Sequence, residues 1–241
     1  MTASLTFQST RPPYSCDQIF TMALDGSDVK LVSTGKGKCT CSYFFPSGDR
    51  ILYSSTHAAS PECPPKPDYS KGYVWRVEPT YDIYTARPDG SDLKPLVASP
   101  GYDAEATISR DGKKIVFTSD RDGDLEIYVM DSDGTNTKRL TFSPGYDGGA
   151  FFSPDGKSIV YRARHIEDVK ELEDYQGLLK QHMVRPTKLE IYVMDADGKN
   201  QRQVTKLDAG SFAPFMHPTQ NKIIFSSNSG TPRGASSTSS S

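Results

Sequence analysis

The sequence reads as an all-β β-propeller of four-stranded blades, about four of them in a ring that does not close, with one short helical insert. Two recurring phrases carry this reading. In the first, an apolar strand runs into an Asp-Gly turn, at residues 19–22 with Asp25-Gly26, 83–86 with Asp89-Gly90, 127–130 with Asp133-Gly134 and 191–194 with Asp197-Gly198. In the second, a turn precedes an apolar run, at residues 51–53, 115–117, 159–161 and 223–225. The turn aspartates stand 64, 44 and 64 residues apart, so the basic unit is 44 residues and two units carry the same excess of 20. A four-stranded repeat of about 40 to 50 residues is the mark of propeller blades.

Along the chain, residues 5–9 repeat the pattern of 115–119 and so form a second strand, in a unit whose innermost strand is missing. Units near 42–100, 105–142 and 149–206 are complete. In the middle one, residues 114–118 and 126–130 are β-branched and aromatic runs bounded by Asp-Gly pairs, whose glycine accepts positive φ and closes a tight hairpin. Weaker first and fourth strands lie near 105–109 and 138–141. After residues 223–227 the next partner strand does not follow. The expected total is 17 strands in a propeller over 1–228, with a disordered Ser-rich tail over 229–241. A closed four-bladed ring is the rival geometry.

The stretch Phe152-Ser153-Pro154-Asp155-Gly156-Lys157 with Ile159-Val160-Tyr161, and the stretch EIYVMDADG that ends at Gly198, resemble the repeats of the TolB-like β-propeller family. The likeness extends over about residues 5–228. It implies a six-bladed ring in whole members, a periplasmic or otherwise extracytoplasmic setting in the bacterial envelope, and a propeller that docks protein partners. Against six blades, this chain is expected to be a fragment of a longer member.

Composition narrows the function. A net charge of −2 offers no electrostatic case for nucleic acid or acidic lipid. No apolar run reaches the 18 or so residues of a membrane helix, and residues 1–4 lead into a strand with no export signal. Nucleophile elbow, HExxH, phosphate loop and dinucleotide fingerprint are all absent from the sequence, so no enzyme is expected. Cys16, Cys39, Cys41 and Cys63 permit three pairings. The sequence selects none, free thiols being favoured over a bridge such as Cys16 to Cys63. A CxC pair with two scattered thiols lacks zinc-site spacing.

Consecutive strands in a blade are antiparallel, so both inserts open on the face that also carries the unit-to-unit turns ending in Tyr102-Asp103 and Tyr146-Asp147. Loops elaborated on a rigid scaffold are where binding residues usually sit. The first insert, 54–80, is stiffened by prolines and holds Tyr73, Trp75 and Arg76, aromatic and guanidinium anchors with low ordering cost. The expected partner-binding set is Tyr73, Trp75, Arg76, Tyr102, Asp103, Tyr146 and Asp147; the blander alternative makes Trp75 the core of its own loop. In the second insert a helix over 167–181 is expected, its apolar stripe of Ile166, Val169, Leu172, Tyr175 and Leu179 lying on the propeller face.

His165 and His182 flank that helix without a carboxylate motif, which argues against a metal pair. Asp120, Asp122 and Asp124 around Gly123 are a calcium candidate, weakened by the missing distal glutamate and set against a plain hairpin turn. No cofactor is expected. Open strand edges at 5–9 and 223–227 invite self-association. The functional expectation is a non-catalytic protein-binding scaffold, with the accessory propeller of a hydrolase as the alternative.

Overall fold

The computed structural model describes residues 4–230. β1 (Ser4–Ser9), β2 (Gln18–Ala23) and β3 (Lys30–Leu31) form a three-stranded opening sheet. The first complete sheet follows with β4 (Cys39–Phe44) and β5 (Ile51–Ser55); its long connection contains β6 (Trp75–Arg76) before β7 (Asp82–Ala86) and β8 (Lys94–Val97). β9 (Asp103–Ile108), β10 (Lys114–Ser119), β11 (Glu126–Asp131) and β12 (Lys138–Arg139) make the second. The third consists of β13 (Gly145–Phe152), β14 (Ser158–His165), β16 (Glu190–Asp195) and β17 (Arg202–Gln203). Helix α1 (Val169–Leu179) and β15 (Met183–Val184) lie between β14 and β16. β18 (Ser211–Met216) and β19 (Ile223–Ser227) end the described residues as a pair. The architecture is an incomplete propeller of about four blades. The Ser-rich tail expected at 229–241 lies, from 231 onward, outside the described residues.

The second strand of each complete sheet is central and covered on both faces, so it reads as a continuous apolar run instead of an alternating one. Ile51, Leu52 and Tyr53, Ile115, Val116 and Phe117, and Ile159, Val160 and Tyr161 are all 0% exposed. Core forms layer by layer between neighbouring sheets. Leu52, Ile83 and Val97 meet Ile115 and Phe117; Val116, Ile127 and Leu140 meet Ile159 and Tyr161; Val160, Ile191 and Val193 meet Ile223 and Phe225. At the far end the rule lapses: Ile224, placed as Val116 and Val160 are, is 69% exposed, and Phe215 is 49% exposed.

Every first strand bends at the same place. Cys41, Glu105, Gly149 and Ala213 have φ of 53°, 57°, 59° and 49°, each where the pairing register shifts. These are bulges in which one left-handed residue tightens the strand around the axis. At Gly149 a Cβ would come within 2.5 Å of the Arg162 guanidinium, so a side chain there would have to displace that group. The turns on the opposite face follow a fixed chemistry. Asp155 accepts hydrogen bonds from the Ser153 hydroxyl (2.6 Å) and the Lys157 amide (3.1 Å), and Asp111 does the same with Ser109 (2.7 Å) and Lys113 (3.1 Å).

A further repeat joins the second and third strands. Opposed aromatics Phe7 and Phe20, Tyr53 and Tyr84, Phe117 and Tyr128, and Tyr161 and Tyr192 are each capped by a basic ring or guanidinium. Arg11 lies 5.0 Å from the Phe20 ring, His57 4.4 Å from Tyr84, Arg121 4.9 Å from Tyr128 and His165 4.6 Å from Tyr192. The two guanidiniums find the negative ring face, where cation contacts are strongest when partly desolvated; the two imidazoles make tilted ring contacts, and burial lowers His57 from its ordinary value.

Candidate partner-binding face

The two inserts meet on one face and brace each other. β15 pairs antiparallel with β6, Met183 opposite Arg76 and Val184 opposite Trp75, and the Val77 amide donates to the His182 carbonyl at 2.8 Å. The Arg185 guanidinium donates to the Lys71 carbonyl across the same junction. Val74, Leu178 and Met183 form a small core between the inserts. α1 starts at Asp168, whose carboxylate accepts from the Glu171 amide at 2.9 Å as an N-cap. Its inner side packs Leu172, Tyr175 and Leu179 with Ile166, Val184 and Leu189 onto Leu125 and Tyr146 of the propeller. The expected stripe needs one correction: Val169 is 68% exposed, and Leu178, one turn from its expected neighbours, is buried instead. The helix is rotated because it must serve two cores, the propeller face and the contact with the first insert.

Cys16 and Cys63 form a disulfide that ties the first insert to the connection between β1 and β2. The favoured free-thiol reading is thereby corrected for these two. Cys39 is buried and Cys41 half-buried, both as thiols, and burial together with Glu105 pushes the Cys41 thiol up to about 11. Spacing along the sequence could not select the bridge, because an insert folded back across 47 residues leaves no local signal.

A groove of about 580 Å³ runs between the end of β1, the start of β4 and the first insert, lined by Lys38, Lys66, Tyr73, Trp75, Arg76 and Tyr102 among others. Tyr69 and Tyr73 on its rim are 59% and 65% exposed. The Trp75 indole donates to the Tyr73 hydroxyl at 3.0 Å, lies 5.6 Å from the Phe212 ring and receives the Arg162 guanidinium at 5.4 Å. Trp75 therefore reaches across to the closing pair and is more than the core of its own loop. Arg76 pairs with the buried Glu78 at 2.6 Å, and Tyr102 stands edge-on to Tyr81 at 6.1 Å. Tyr73, Trp75, Arg76 and Tyr102 are thus brought together.

Asp103, Tyr146 and Asp147 are not at the surface and require correction as contact residues, being 0%, 7% and 0% exposed. Their Pro-Gly-Tyr-Asp stretches look like exposed turns, but the Tyr-Asp pairs already belong to, or adjoin, the innermost strands and face the neighbouring blade. Asp103 holds Arg121 at 2.6 Å and accepts from the Ser99 hydroxyl; Asp147 holds His165 at 3.0 Å. Tyr146 sits between Glu105 (3.1 Å) and Arg162 (2.7 Å), and Glu105 also pairs directly with Arg162. Burial opposes the charge on Arg162, but Glu105 and Tyr146 outweigh it and hold it protonated. The sequence carries one clue to this network: Arg162 stands where three other units have the hydroxyls of Ser54, Thr118 and Ser226 and the opening unit has Gln8.

Near it, Glu126 and Asp147 meet across the junction between the second and third complete sheets, each with one buried oxygen that has no hydrogen-bond partner. Burial raises Glu126 to about 7 and Asp147 adds to the shift, with Thr141 and Arg139 acting the other way. Burial lowers His165, but its bond to Asp147 outweighs that and leaves the imidazole raised.

The calcium candidates are spent on protein groups. Asp120 accepts from the Tyr102 amide (2.7 Å), Asp122 from the Tyr128 hydroxyl (2.5 Å), and Asp124 from the Gly145 amide (3.0 Å) and the Tyr175 hydroxyl (2.5 Å). Among the described residues no group of three or more ligating side chains is gathered. The opposite face has a hollow of about 540 Å³ between Asp-Gly turns, lined by Arg110, Asp111, Pro154 and Asp155. It lacks inserts and exposed aromatics.

Residues 66–178 match the family model for a TolB beta propeller domain. Over those residues, just under half of the chain, the repeats are similar to those of the TolB-like propeller family. Among solved structures, the chain is similar to the putative TolB from Agrobacterium tumefaciens, at 20% identity and a TM-score of 0.58, over 82% of this chain and 60% of that one. It is similar to TolB from Acinetobacter baumannii at 19% identity and 0.55, over 82% of this chain and 39% of that one. A puromycin hydrolase matches at 14% identity and 0.51, over 79% of this chain and 26% of that one. No curated protein matches the sequence. At these identities the likeness is one of fold, and the chain spans less than two thirds of either TolB structure. The inserts lie between the second and third strands of two blades. Among the described residues no helix is long and apolar enough to cross a membrane.

Proposed function

We propose that this TolB-like propeller is a non-catalytic scaffold that docks a protein partner on the face carrying the inserts. The observation that supports it most is the pair of inserts, which brace each other and hold Tyr69, Tyr73, Trp75 and Arg76 along one groove. Aromatic and guanidinium side chains held on a stiff loop are the usual anchors of an interface. An extracytoplasmic setting is supported by the disulfide of Cys16 and Cys63, since such bonds persist in oxidising compartments. The alternative, an accessory propeller of a hydrolase, is supported by the likeness to puromycin hydrolase. Once a partner is captured from a bacterial envelope extract, Tyr69→Ala with Tyr73→Ala should weaken its binding at least tenfold, about 1.4 kcal/mol. Arg110→Ala with Lys157→Ala on the other face should leave it unchanged. Equal loss from both faces, with folding intact, would refute the one-sided scaffold.

A further inference from the structure

The second insert is anchored where three carboxylates gather at the junction between the second and third complete sheets. Asp124 accepts the Tyr175 hydroxyl of α1 at 2.5 Å and the Gly145 amide of β13 at 3.0 Å. Asp147 holds His165, the last residue of β14, at 3.0 Å, and the amide of the following Ile166 donates to the Pro144 carbonyl at 2.9 Å. Arg164 reaches α1 directly, pairing with Glu171 at 2.6 Å. Glu126 pairs with Arg139 at 2.6 Å. Glu126 and Asp147 are 1% and 0% exposed, and each keeps one oxygen without a hydrogen-bond partner. An ionised carboxylate buried in this way is costly, and a second one beside it adds repulsion; a proton on either acid relieves the repulsion and part of the burial cost.

We propose that Glu126, Asp147 and His165 form a pH-sensitive latch on the second insert: with one proton on the acid pair and His165 charged, α1 sits closed on the propeller face, and loss of those protons loosens α1 and, through the pairing of β15 with β6, the first insert. The other groups at the pair keep their charge state near neutrality. Arg139 stays charged, the Thr141 hydroxyl does not ionise, and burial holds Tyr161, Tyr175 and Tyr192 above their ordinary value and so neutral. Burial raises Glu126 to about 7, with Asp147 adding to the rise against Thr141 and Arg139. Burial lowers His165, but its bond to Asp147 outweighs that and leaves it raised. Both folded values lie above the ordinary ones, so the closed form is favoured in acid and that preference is lost as pH rises through them. The preceding unit has no such device, because its Asp103 is held by Arg121, which does not titrate. The latch concerns the conformation of the inserts and does not depend on what their face binds.

Trp75 is the chain's only tryptophan and lies opposite Val184 in the brace, so its fluorescence reports closure. Its emission, followed from pH 5 to pH 8, should shift to the red with a midpoint near pH 7 while far-UV circular dichroism stays folded. Burial lowers His57, at the root of the first insert, so it titrates below this step. Deuterium exchange, corrected for its intrinsic dependence on pH, should rise about tenfold over residues 169–184 and stay slow over 159–161. Glu126→Gln and His165→Arg put a neutral and a permanently charged group at the titrating positions. Each alone should remove part of the step, and the two together should keep the closed emission up to pH 8. His182→Asn, at the histidine that follows α1, should leave the step in place. No step in the unaltered chain, a step of full size in both single variants, or exchange that rises equally over 159–161 and 169–184 would overturn the proposal.

Discussion

Glu126, Asp147 and His165 show what the units do with charge where blades meet. Equivalent junctions hold Gln18 near Cys39 and Asp82 near Asp103. At the Asp103 junction the basic partner is the permanently charged Arg121, whereas at Asp147 it is a histidine that titrates. Glu126 is raised from an ordinary 4.5 to about 7, so in the window between those values the folded state holds more protons than the unfolded chain. Stability therefore falls as pH rises through that window. His165 acts in the same direction: its raised value means a contribution complete below the unfolded pKa and lost as pH rises through the folded one. Urea midpoints should decrease between pH 5 and pH 8, and Glu126→Gln should flatten much of that slope; an unchanged slope would remove Glu126 from the explanation. None of this was legible in the sequence. The alternation of a strand reports which residues face a neighbour but not which acid of the next blade they meet.

The inserts show where reading by element succeeds and where it stops. The apolar period places a helix at 167–181, and the structure gives Val169–Leu179 with Asp168 as its cap. Its facing residues differ because the partner surface is the other insert, about 100 residues earlier in the chain, which periodicity cannot see. The pairing of β6 with β15 was hidden for the same reason, each strand being only two residues long. The bridge of Cys16 and Cys63 closes a loop of 47 residues, worth about 4 kcal/mol in the chain-entropy account. Reduction should lower the stability of the opening sheet and first insert, seen as faster deuterium exchange at residues 61–73 and 18–23. Exchange that stays as slow after reduction would show that the insert is held by its partner insert alone.

As a molecule the chain is a stack of one repeated junction, and that is why its architecture was legible: four copies of two phrases specify the same contact each time. Sequence repetition does not say whether the two ends of the stack meet. The structure leaves them apart, with Ile224 and Phe215 at one end and Leu5 at the other exposed where their counterparts are covered. In repeat assemblies stability is close to a sum of units and their junctions, so a residue contributes only if its junction exists. Val160 and Ile224 occupy the same position in successive units, the first 0% exposed and the second 69% exposed. The most direct measurement is the urea unfolding free energy of Val160→Ala and Ile224→Ala side by side. The open stack predicts a loss of about 2 kcal/mol for Val160→Ala, from methyl burial and the cavity left behind, and a change within about 0.5 kcal/mol for the larger truncation at Ile224. A loss at Ile224 as large as that at Val160, in monomeric protein, would mean that the two ends meet in a closed ring.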